Sequence, residues 1–439
     1  MSAPAPAADA VVSSVHRTDR RTVTAWAFWD FGSAAFNAVL VTFIFSVYLT
    51  DSVGDSVSGT VGASTWYGVA MALGGAVIAL TAPVVGRRSD ARGRRRRAVR
   101  TWTLVTVALM AVLVVVGDDA PGYFWFGVTV MAVASVTFQF AEVGYFAMLN
   151  QVSVPGTVGR VSGFGWAMGY FGGIILLLLC YVGFIAGEGD TRGLLGLPVE
   201  DGWNVRAVAL FAAVWFLVAS LPLFRRIPEV PATVGGAAGV GWRDSYRALF
   251  RDLGMLWRTD RRAVWFLVAS AVFRDGLAGV FTFGAILAVS VYGLSDSDVL
   301  LFGVGANVVA AVGALVAGRV DDRVGPVPVI AVSLVLMVAD ALVLFLVDGP
   351  AMFWVFGLVL CLFVGPAQSA SRSCLSRMCP PGREGEMFGL YATTGRAVSW
   401  LAPAAFALFT GVSGSDRAGI LGIALVLLAG VALLLRLAR

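Results

Sequence analysis

The sequence contains no lysine and only one histidine, His16, which lies in the polar N-terminal stretch. Because the phosphate-binding loop of ATP-hydrolysing proteins requires a lysine, ATP-driven transport or catalysis within this chain is excluded. Catalysis or proton relay by histidine inside a membrane is excluded as well, since no apolar stretch contains a histidine. Charged residues are also few, at 13% of the chain, whereas a soluble protein carries roughly 25%.

Cysteine is scarce too, and its four positions are Cys180, Cys361, Cys374 and Cys379. The first two lie inside apolar stretches, and the other two lie at a helix end that we assign to the cytoplasm, where disulfides are rare. Cys374 and Cys379 have four residues between them and no histidine partner, which is not typical of a metal site. We therefore predict no disulfide, no metal ion and no cofactor.

Apolar residues, in contrast, are abundant: 58% of the chain is hydrophobic, and the mean hydropathy is +0.84. Runs of about 20 apolar residues are long enough to cross a bilayer. We predict an all-α membrane protein with twelve transmembrane helices, called segments 1 to 12 in chain order. Their predicted bounds are 24–49, 64–85, 98–116, 122–148, 162–185, 206–224, 263–292, 298–317, 327–347, 351–372, 386–411 and 417–436.

The loops between these segments alternate in charge. Residues 86–100 hold eight arginines and one acid, and residues 225–262 hold eight arginines and four acids. Arg372, Arg377 and Arg383 are assigned to the same side. The positive-inside rule places this side and both termini in the cytoplasm and predicts a multi-pass protein of the cell membrane. A nucleic-acid-binding patch is the alternative explanation of the arginines, but their alternation from loop to loop favours membrane orientation.

The segments divide the chain into four parts. Residues 1–21 are predicted to be a disordered cytoplasmic tail, and residues 22–224 and 263–439 to be two bundles of six helices. Residues 225–262 are predicted to be a cytoplasmic linker, because they open with prolines and glycines. Apolar residues then recur at helical spacing opposite arginines, which is typical of an amphipathic helix on the inner leaflet that tethers the bundles. These apolar residues are Trp242, Tyr246, Leu249, Leu253 and Leu256.

One loop motif occurs twice, between segments 2 and 3 and between segments 8 and 9. Gly86, Asp90 and Gly93 recur 232 residues later as Gly318, Asp322 and Gly325. A single copy would be weak evidence in a chain with 52 glycines. Two copies at equivalent positions of two equal halves indicate an internal repeat.

Four stretches carry a resemblance to a known family. They are AWAFWDFGSAAFNAVLVTFIFSVYL (25–49), GRVSGFGWAMGYFGGIILLL (159–178), FRDGLAGVFTFGA (273–285), and GPAQSASRSCLSRMCPP with MFGLYATTGRAVSWLAP (365–403). With six segments on each side of a linker, the chain resembles the major facilitator superfamily and, within it, the vacuole-effluxer-like branch that includes fungal autophagy-related amino-acid effluxers. The resemblance implies two six-helix bundles, transport by alternating access, and a central cavity lined by segments 1, 4, 7 and 10.

The resemblance also implies a gating role for the repeated motif. Asp90 is expected to face the cytoplasmic end of segment 11, where the positive end of the helix dipole favours an anion. Nearby arginines, with Arg94 as the candidate, are expected to lock the bundles together. One departure from the branch is visible: Asp30 is followed by Phe31-Gly32-Ser33, and the next asparagine is Asn37. No asparagine role is therefore transferred from the branch.

Six charged residues lie more than two residues from either end of a predicted segment, where each charge is unfavourable and therefore indicates a site. They are Asp30, Glu142, Arg274, Asp275, Asp340 and Arg396. Asp30 and Glu142 share a depth, and they either couple protons or pair with arginines of residues 86–100. Arg274 and Arg396 lie roughly 15 Å deep, near the midplane. They either bind a substrate anion through two-point hydrogen bonds or are neutralised by Asp275 and Asp340.

These considerations define the predicted sites. The substrate-binding candidates are Arg274, Arg396, Asn37, Gln368, Tyr391 and Thr394. The proton-coupling candidates are Asp30 and Glu142, followed by Asp275. The gating candidates are Gly86, Asp90, Gly93, Arg94, Gly318, Asp322 and Gly325. Asp340 is expected to be structural, because the resemblance places segment 9 at the periphery. Aromatic residues 26–31 are expected to form an interfacial belt, and the glycines of residues 163–173 a close helix contact.

We predict a secondary active transporter rather than an enzyme. Its substrate is expected to be a small anionic or zwitterionic organic solute, with proton-coupled amino-acid efflux as the leading case. The expected partners are this solute, protons and the lipid bilayer, with no nucleic acid, and the expected state is a monomer. Two alternatives stay open: a polytopic membrane enzyme, which would need an acidic or histidine-bearing loop, and a signalling or scaffold protein on the same fold.

Overall fold

The computed structural model describes residues 19–57, 60–229 and 242–438, and most of them are helical. Eleven helices among these residues are long and apolar enough to cross a membrane. They correspond to segments 1 to 10 and segment 12, and they span Arg20–Asp51, Ala63–Ala91, Arg95–Val115, Pro121–Val152, Pro155–Ile185, Glu200–Arg226, Arg261–Ser290, Leu301–Val324, Pro326–Leu346, Pro350–Met378 and Asp416–Leu435. Residues 1–18 of the predicted tail and residues 230–241 of the predicted linker lie outside the described residues.

Segment 11 differs from the prediction, which gave it as one continuous helix. It consists of two helices, Glu384–Val398 and Leu401–Ser413, which meet at Ser399 and Trp400. Each is shorter than the roughly 20 residues that cross a bilayer. The second helix carries Pro403 in its first turn, a position that tolerates a residue without an N–H group.

Three further elements complete the fold. Segment 1 changes from α-helix to π-helix over Ala35–Phe43 and continues as α-helix over Phe45–Asp51. The amphipathic linker helix is present at Trp242–Thr259, with Leu249 and Leu256 buried. Between segments 5 and 6, Thr191–Arg192 pairs antiparallel with Leu197–Pro198. This hairpin is too short to change the helical character of the protein.

Residues 19–229 form the N-terminal half of the described structure, and residues 261–438 form the C-terminal half. In the first, segment 1 packs against segments 5 and 6, and segment 3 against segments 4 and 6. In the second, segment 7 packs against segment 12, and segment 9 against segments 10 and 12. The halves meet where segment 2 contacts segment 11 and where segment 5 contacts segment 8.

Glycines bring the two halves together at one end of the molecule. A Cβ atom on Gly86 would overlap the carbonyl group of Gly385, and one on Gly159 would lie 2.7 Å from the carbonyl oxygen of Gly318. Small residues of this kind allow two helix backbones to approach directly. We call this end, formed by residues 86–100 and 318–325, the arginine-rich end.

A proline in segment 2 adds a further link to segment 11. Pro83 lies inside the helix and has no N–H group to donate to the carbonyl oxygen of Ala79, four residues earlier. The hydroxyl group of Thr393 donates to that oxygen at 2.8 Å. Segment 2 therefore supplies an unused backbone acceptor, and segment 11 satisfies it.

The aromatic residues of segment 1 form core rather than an interfacial belt. Trp26 and Trp29 are completely buried, and both stack on Tyr145, with ring centres 4.5 and 4.4 Å apart. Their indole N–H groups donate to the carbonyl oxygen of Tyr145 and to Thr103 Oγ1. The belt prediction is wrong for these two residues, because segment 4 supplies a ring that covers both indoles.

Candidate functional site

A buried ion pair links segment 1 to segment 10. Arg372 Nη1 lies 3.0 Å from Asp30 Oδ2, and the hydroxyl group of Tyr145 donates to the same oxygen at 2.8 Å. Neither of the sequence-based roles for Asp30 included this partner. Arg372 was predicted to be the last residue of segment 10, at its cytoplasmic end, but the helix of segment 10 continues to Met378. The prediction that Asp30 pairs with an arginine of residues 86–100 is therefore wrong.

The guanidinium group of Arg372 is enclosed by the N-terminal half. Its Nε donates to Ser162 Oγ at 3.0 Å, and its Nη2 donates to the carbonyl oxygen of Ser162 at 2.7 Å. Four aromatic rings lie within 5.7 Å of its Cζ atom, those of Trp26, Tyr145, Phe146 and Trp166. Cation–π attraction of this kind strengthens when the cation is removed from water.

A second cluster lies where segments 7 and 11 face segment 4. The guanidinium group of Arg274 lies over the ring of Tyr391, 3.7 Å from the ring centre, and its Nη1 donates to the carbonyl oxygen of Tyr391 at 3.1 Å. The hydroxyl group of Tyr391 is 2.7 Å from Ser371 Oγ. Tyr391 is buried and Arg274 is half-buried. Two predicted binding residues are thus in direct contact.

Arg396 approaches the same region from the end of the first helix of segment 11. Its Nη2 donates to Gln139 Oε1 at 3.3 Å, and Gln139 Nε2 donates to Glu142 Oε2 at 2.6 Å. Glu142 lies within electrostatic range of both Arg396 and Arg274. The acid of segment 4 therefore faces two arginines of the other half, and Arg396 itself is exposed.

The alternative in which Asp275 and Asp340 neutralise these arginines is wrong. Asp275 Oδ2 accepts a hydrogen bond from the backbone N–H of Ala402 at 2.6 Å. It lies at the N-terminus of Leu401–Ser413, where the helix dipole favours a carboxylate. Asp340 is buried, and its Oδ2 has no hydrogen-bond partner among the described residues. The break in segment 11, which the sequence did not reveal, creates the helix end that Asp275 occupies.

The remaining binding candidates lie in different surroundings. Gln368 Oε1 accepts a hydrogen bond from the hydroxyl group of Tyr170 at 2.8 Å, which joins segment 10 to segment 5. Thr394 Oγ1 donates to the carbonyl oxygen of Tyr391. Asn37 is exposed in the π-helical stretch of segment 1, and no contact among the described residues joins it to the arginines. π-Helical turns are frequent at functional sites, but no pattern in the sequence predicted this one.

The first copy of the repeated motif lies against the start of segment 11. Asp90 Oδ2 accepts from the backbone N–H of Glu386 at 3.0 Å, and Asp90 Oδ1 lies 2.6 Å from Arg95 Nε. Arg95 also forms an ion pair with Glu384. Arg95 is buried, whereas Arg94 is exposed. The choice of Arg94 as the locking residue is therefore wrong, because the helix of segment 3 begins at Arg95 and turns that side chain inward.

The second copy repeats this arrangement with the two halves exchanged, so that an aspartate of the C-terminal half contacts a helix of the N-terminal half. Asp322 accepts hydrogen bonds from the backbone N–H groups of Gly159 and Arg160 at 2.8 and 3.2 Å. Arg160 Nε also lies 2.8 Å from Asp322 Oδ2. Each motif aspartate thus receives the backbone N–H groups at the beginning of a helix from the other half. Gly93 and Gly325 end their helices with φ values of +59° and +89°, which glycine adopts readily.

At the opposite end of the molecule, the polar contacts found among the described residues stay within one half. Arg206 Nε donates to the carbonyl oxygen of Val114 at 2.6 Å, within the N-terminal half. Arg417 pairs with Asp348, and the hydroxyl group of Tyr292 donates to the carbonyl oxygen of Leu344, both within the C-terminal half. The contacts named above that join the two halves all lie in the region between the arginine-rich end and the cluster of Arg274 and Arg396. The conformation is therefore closed at the arginine-rich end.

Sequence comparisons connect the chain to membrane transporters. A family model described as "Vacuole effluxer Atg22 like" matches residues 150–439. An uncharacterised MFS-type transporter of Bacillus subtilis, YxiO, is 20% identical over 416 residues, which cover 93% of each chain. Autophagy-related protein 22 of Cryptococcus neoformans is 26% identical over 312 residues, which cover 64% of this chain and 53% of that protein.

Solved structures share the fold. The proton:xylose symporter XylE superposes with a TM-score of 0.73 at 13% identity, covering 94% of each chain. A bacterial homologue of the iron transporter ferroportin, in an outward-facing state, superposes with a TM-score of 0.69 at 13% identity, covering 96% of this chain and 99% of that one. At such identities the likeness establishes the fold alone.

Proposed function

Because the chain belongs to the family of Atg22-like vacuole effluxers, a branch of the major facilitator superfamily, we propose that it moves a small carboxylate-bearing solute by alternating access. The observation that carries this proposal is the hydrogen-bonded link from Arg396 on the C-terminal half through Gln139 to Glu142 on the N-terminal half. Arg274 lies within electrostatic range of the same acid. Transporter substrates bind between the two repeats near the bilayer midplane. A solute held there would contact both halves at once.

The charges of this cluster favour a zwitterion. Each guanidinium group can grip a carboxylate with two parallel hydrogen bonds, and Glu142 can accept an ammonium group. An α-amino acid carries both groups on one carbon atom, which matches the presence of two cations and one acid in this cluster. We propose amino-acid efflux on this basis. Gln368, Thr394 and Asn37 are then secondary candidates for contacts with the rest of the solute.

We further propose that the arginine-rich end is cytoplasmic, with both termini there, twelve segments in all, and two bundles at 22–224 and 263–439 joined by the linker. The break in segment 11 then lies within the membrane, beside the cavity. The concentration of arginines at one end supports this orientation. The described conformation is then outward-facing, and the motifs around Gly86, Asp90, Gly318 and Asp322 form its cytoplasmic gate.

The proposal includes a monomer in the cell membrane without catalytic activity. The family description names the vacuole, so a vacuolar or other internal membrane is the alternative location. Fractionation of cells that express a tagged chain distinguishes the two. We also propose protons as the coupling ion, with Asp30 and Glu142 as the carriers, because these are the two acids next to the inter-half arginines.

Ligand binding to purified protein tests the substrate class. The thermal unfolding midpoint is measured with amino acids, with the amines that lack their carboxylate, and with the acids that lack their amino group. A specific ligand stabilises the folded state by mass action. We expect stabilisation by at least one amino acid, weaker stabilisation by the acids and none by the amines. Stabilisation by amines alone would contradict the proposal.

A further inference from the structure

Arg372 is a residue of the C-terminal half whose guanidinium group is enclosed by the N-terminal half. We propose that Arg372 couples the charge of Asp30 to closure of the arginine-rich end. This inference rests on the proposed function, because it names the residue that links proton binding to the conformational change. Arg372 acts here as a positioning residue and does not touch the solute.

The arginine occupies a socket that we define by Asp30, Ser162 and the four surrounding aromatic rings. All three guanidinium nitrogens donate hydrogen bonds there: Nη1 to Asp30, and Nε and Nη2 to Ser162. The side chain of Arg372 is 1% exposed, whereas that of Asp30 is 14% exposed. Water and protons can therefore reach the carboxylate of Asp30, whereas the guanidinium group of Arg372 is shielded from solvent.

No second cation among the described residues compensates Asp30. The groups that face it are Arg372 from segment 10, Tyr145 and Glu142 from segment 4, and Tyr170 from segment 5. Tyr145 is neutral, and Glu142 carries the same charge as Asp30. A proton on Asp30 would therefore leave the guanidinium group buried with no anion against it, and an unpaired buried charge is strongly unfavourable.

The unpaired charge is relieved only if the Arg372 side chain leaves the socket. Because Arg372 belongs to segment 10, segment 10 must move with it. Two other contacts cross the same interface: the hydroxyl group of Ser162 donates to the carbonyl oxygen of Ser369 at 2.8 Å, and Asn150 Nδ2 donates to that of Ser376 at 2.9 Å. Withdrawal of segment 10 breaks both. Protonation of Asp30 would thus open the arginine-rich end, which is the direction that proton-driven alternation requires.

A glycine of segment 5 shapes the socket without carrying charge. A Cβ atom on Gly165 would lie 2.7 Å from Arg372 Nη2 and 2.9 Å from Asp30 Oδ2. Gly165→Ala would therefore block the seat of the guanidinium group. Gly173 lies on the same helix, and a Cβ atom there would meet only Ala34 at an ordinary 3.6 Å. Gly173→Ala is the matched control.

The test measures accessibility of the inter-half surface in purified protein in lipid vesicles without any solute. Ser369 is 1% exposed at this interface, and Ser369→Cys serves as the reporter for a maleimide. The four native cysteines are buried in this conformation, but two of them, Cys361 and Cys374, lie on segment 10, which moves when the arginine-rich end opens. All four are therefore replaced by alanine in every protein of the test. Labelling is measured at pH values from about 8 to about 3, a range that includes the ordinary carboxyl pKa of about 4. Only the thiolate reacts with a maleimide, so each rate is divided by that of the same protein unfolded in denaturant at the same pH.

We expect this normalised labelling rate of the reporter protein to rise at least about tenfold as the pH falls, which corresponds to a modest population shift. Asp30→Asn and Gly165→Ala should each give the high normalised rate at every pH, and Gly173→Ala should behave like the parent. A flat pH profile in the parent, or a profile in Asp30→Asn that still depends on pH, would overturn the proposal. If Asp30→Asn does not fold, the pH profile of the parent protein and the labelling rates of the two glycine variants test the proposal.

This experiment separates the two proposals. No solute is present, so the reporter can respond to pH even if the protein moves no amino acid. Conversely, transport of an amino acid by a protein with a flat labelling profile would remove Arg372 as the coupling residue and leave the proposed function intact.

Discussion

The guanidinium group of Arg274 lies 3.7 Å from the centre of the Tyr391 ring and donates to the carbonyl oxygen of the same residue. One face of the arginine is thus covered by an aromatic ring, and Glu142 lies within electrostatic range of its charge. This arrangement orients a planar two-point donor between the halves of the molecule. Our first prediction follows from that geometry.

Replacing Arg274 or Arg396 with lysine should weaken solute binding at least about tenfold, because lysine keeps the charge but loses the planar fork. Affinity for the stabilising amino acid is measured by titration calorimetry. Arg258→Lys, on the exposed face of the linker helix, is the control and should bind normally. Normal affinity in both variants would remove the arginines as the binding site and move the search to Gln368, Tyr391, Thr394 and Asn37.

Gly86→Ala should prevent closure of the arginine-rich end, since the added methyl group would overlap the carbonyl group of Gly385. We expect faster labelling of Ser369→Cys and loss of transport in a folded protein. Gly68→Ala on the same helix is the control, because no atom lies within 4 Å of a Cβ atom there. The control should be neutral or stabilised by up to about 1 kcal/mol through helix propensity. Equal labelling in both variants would contradict this account of the gate.

Asp90→Asn should also weaken the closed state, because it removes the charge that pairs with Arg95 and receives the Glu386 N–H group. Loss of one partner of a buried pair commonly costs about 3–5 kcal/mol. We expect labelling of Ser369→Cys to rise with normal expression. Arg94→Gln is the matched control, because Arg94 is exposed, and it should leave labelling unchanged. An unchanged labelling rate in Asp90→Asn would count against the gating role.

The combined change Asp30→Asn and Glu142→Gln should abolish accumulation driven by a pH gradient, and it should also weaken exchange of solute for solute, because Glu142 is proposed to accept the ammonium group of the solute. Both acids lose their ability to bind and release a proton, while their shapes are kept. The two modes are compared in vesicles with and without an imposed gradient. Accumulation that survives the double change would place coupling elsewhere, with Asp275 as the next candidate.

Local patterns in the sequence predicted the helices well, because the backbone N–H and C=O groups of each long apolar run must form hydrogen bonds within the membrane, which a helix provides. They did not predict the break at Ser399 and Trp400, since the hydropathy continues across it. Helical phase explains the error at Arg94: the last residue before the helix of segment 3 points outward, and the first residue of that helix points inward. Such a one-residue difference lies below the precision of boundaries read from a sequence.

The sequence could not predict the partners of the buried charges for a different reason. Asp30 and Arg372 are 342 residues apart, and no local pattern joins them. Arg372 resembled a loop arginine because it follows the last long apolar stretch of segment 10, and its burial depends on the aromatic rings of three other segments. Asp275 and Arg274, although adjacent in the chain, point to different partners because neighbouring helical residues diverge by about 100°.

The central claim is that the chain exchanges a carboxylate-bearing amino compound across a membrane. Counterflow tests it directly: vesicles containing purified protein are loaded with an unlabelled amino acid and diluted into the same compound in labelled form. The account predicts transient accumulation of label in vesicles with the parent protein and its loss in vesicles with Arg274→Ala. Absence of counterflow for every amino acid and carboxylate that stabilises the purified protein would contradict it.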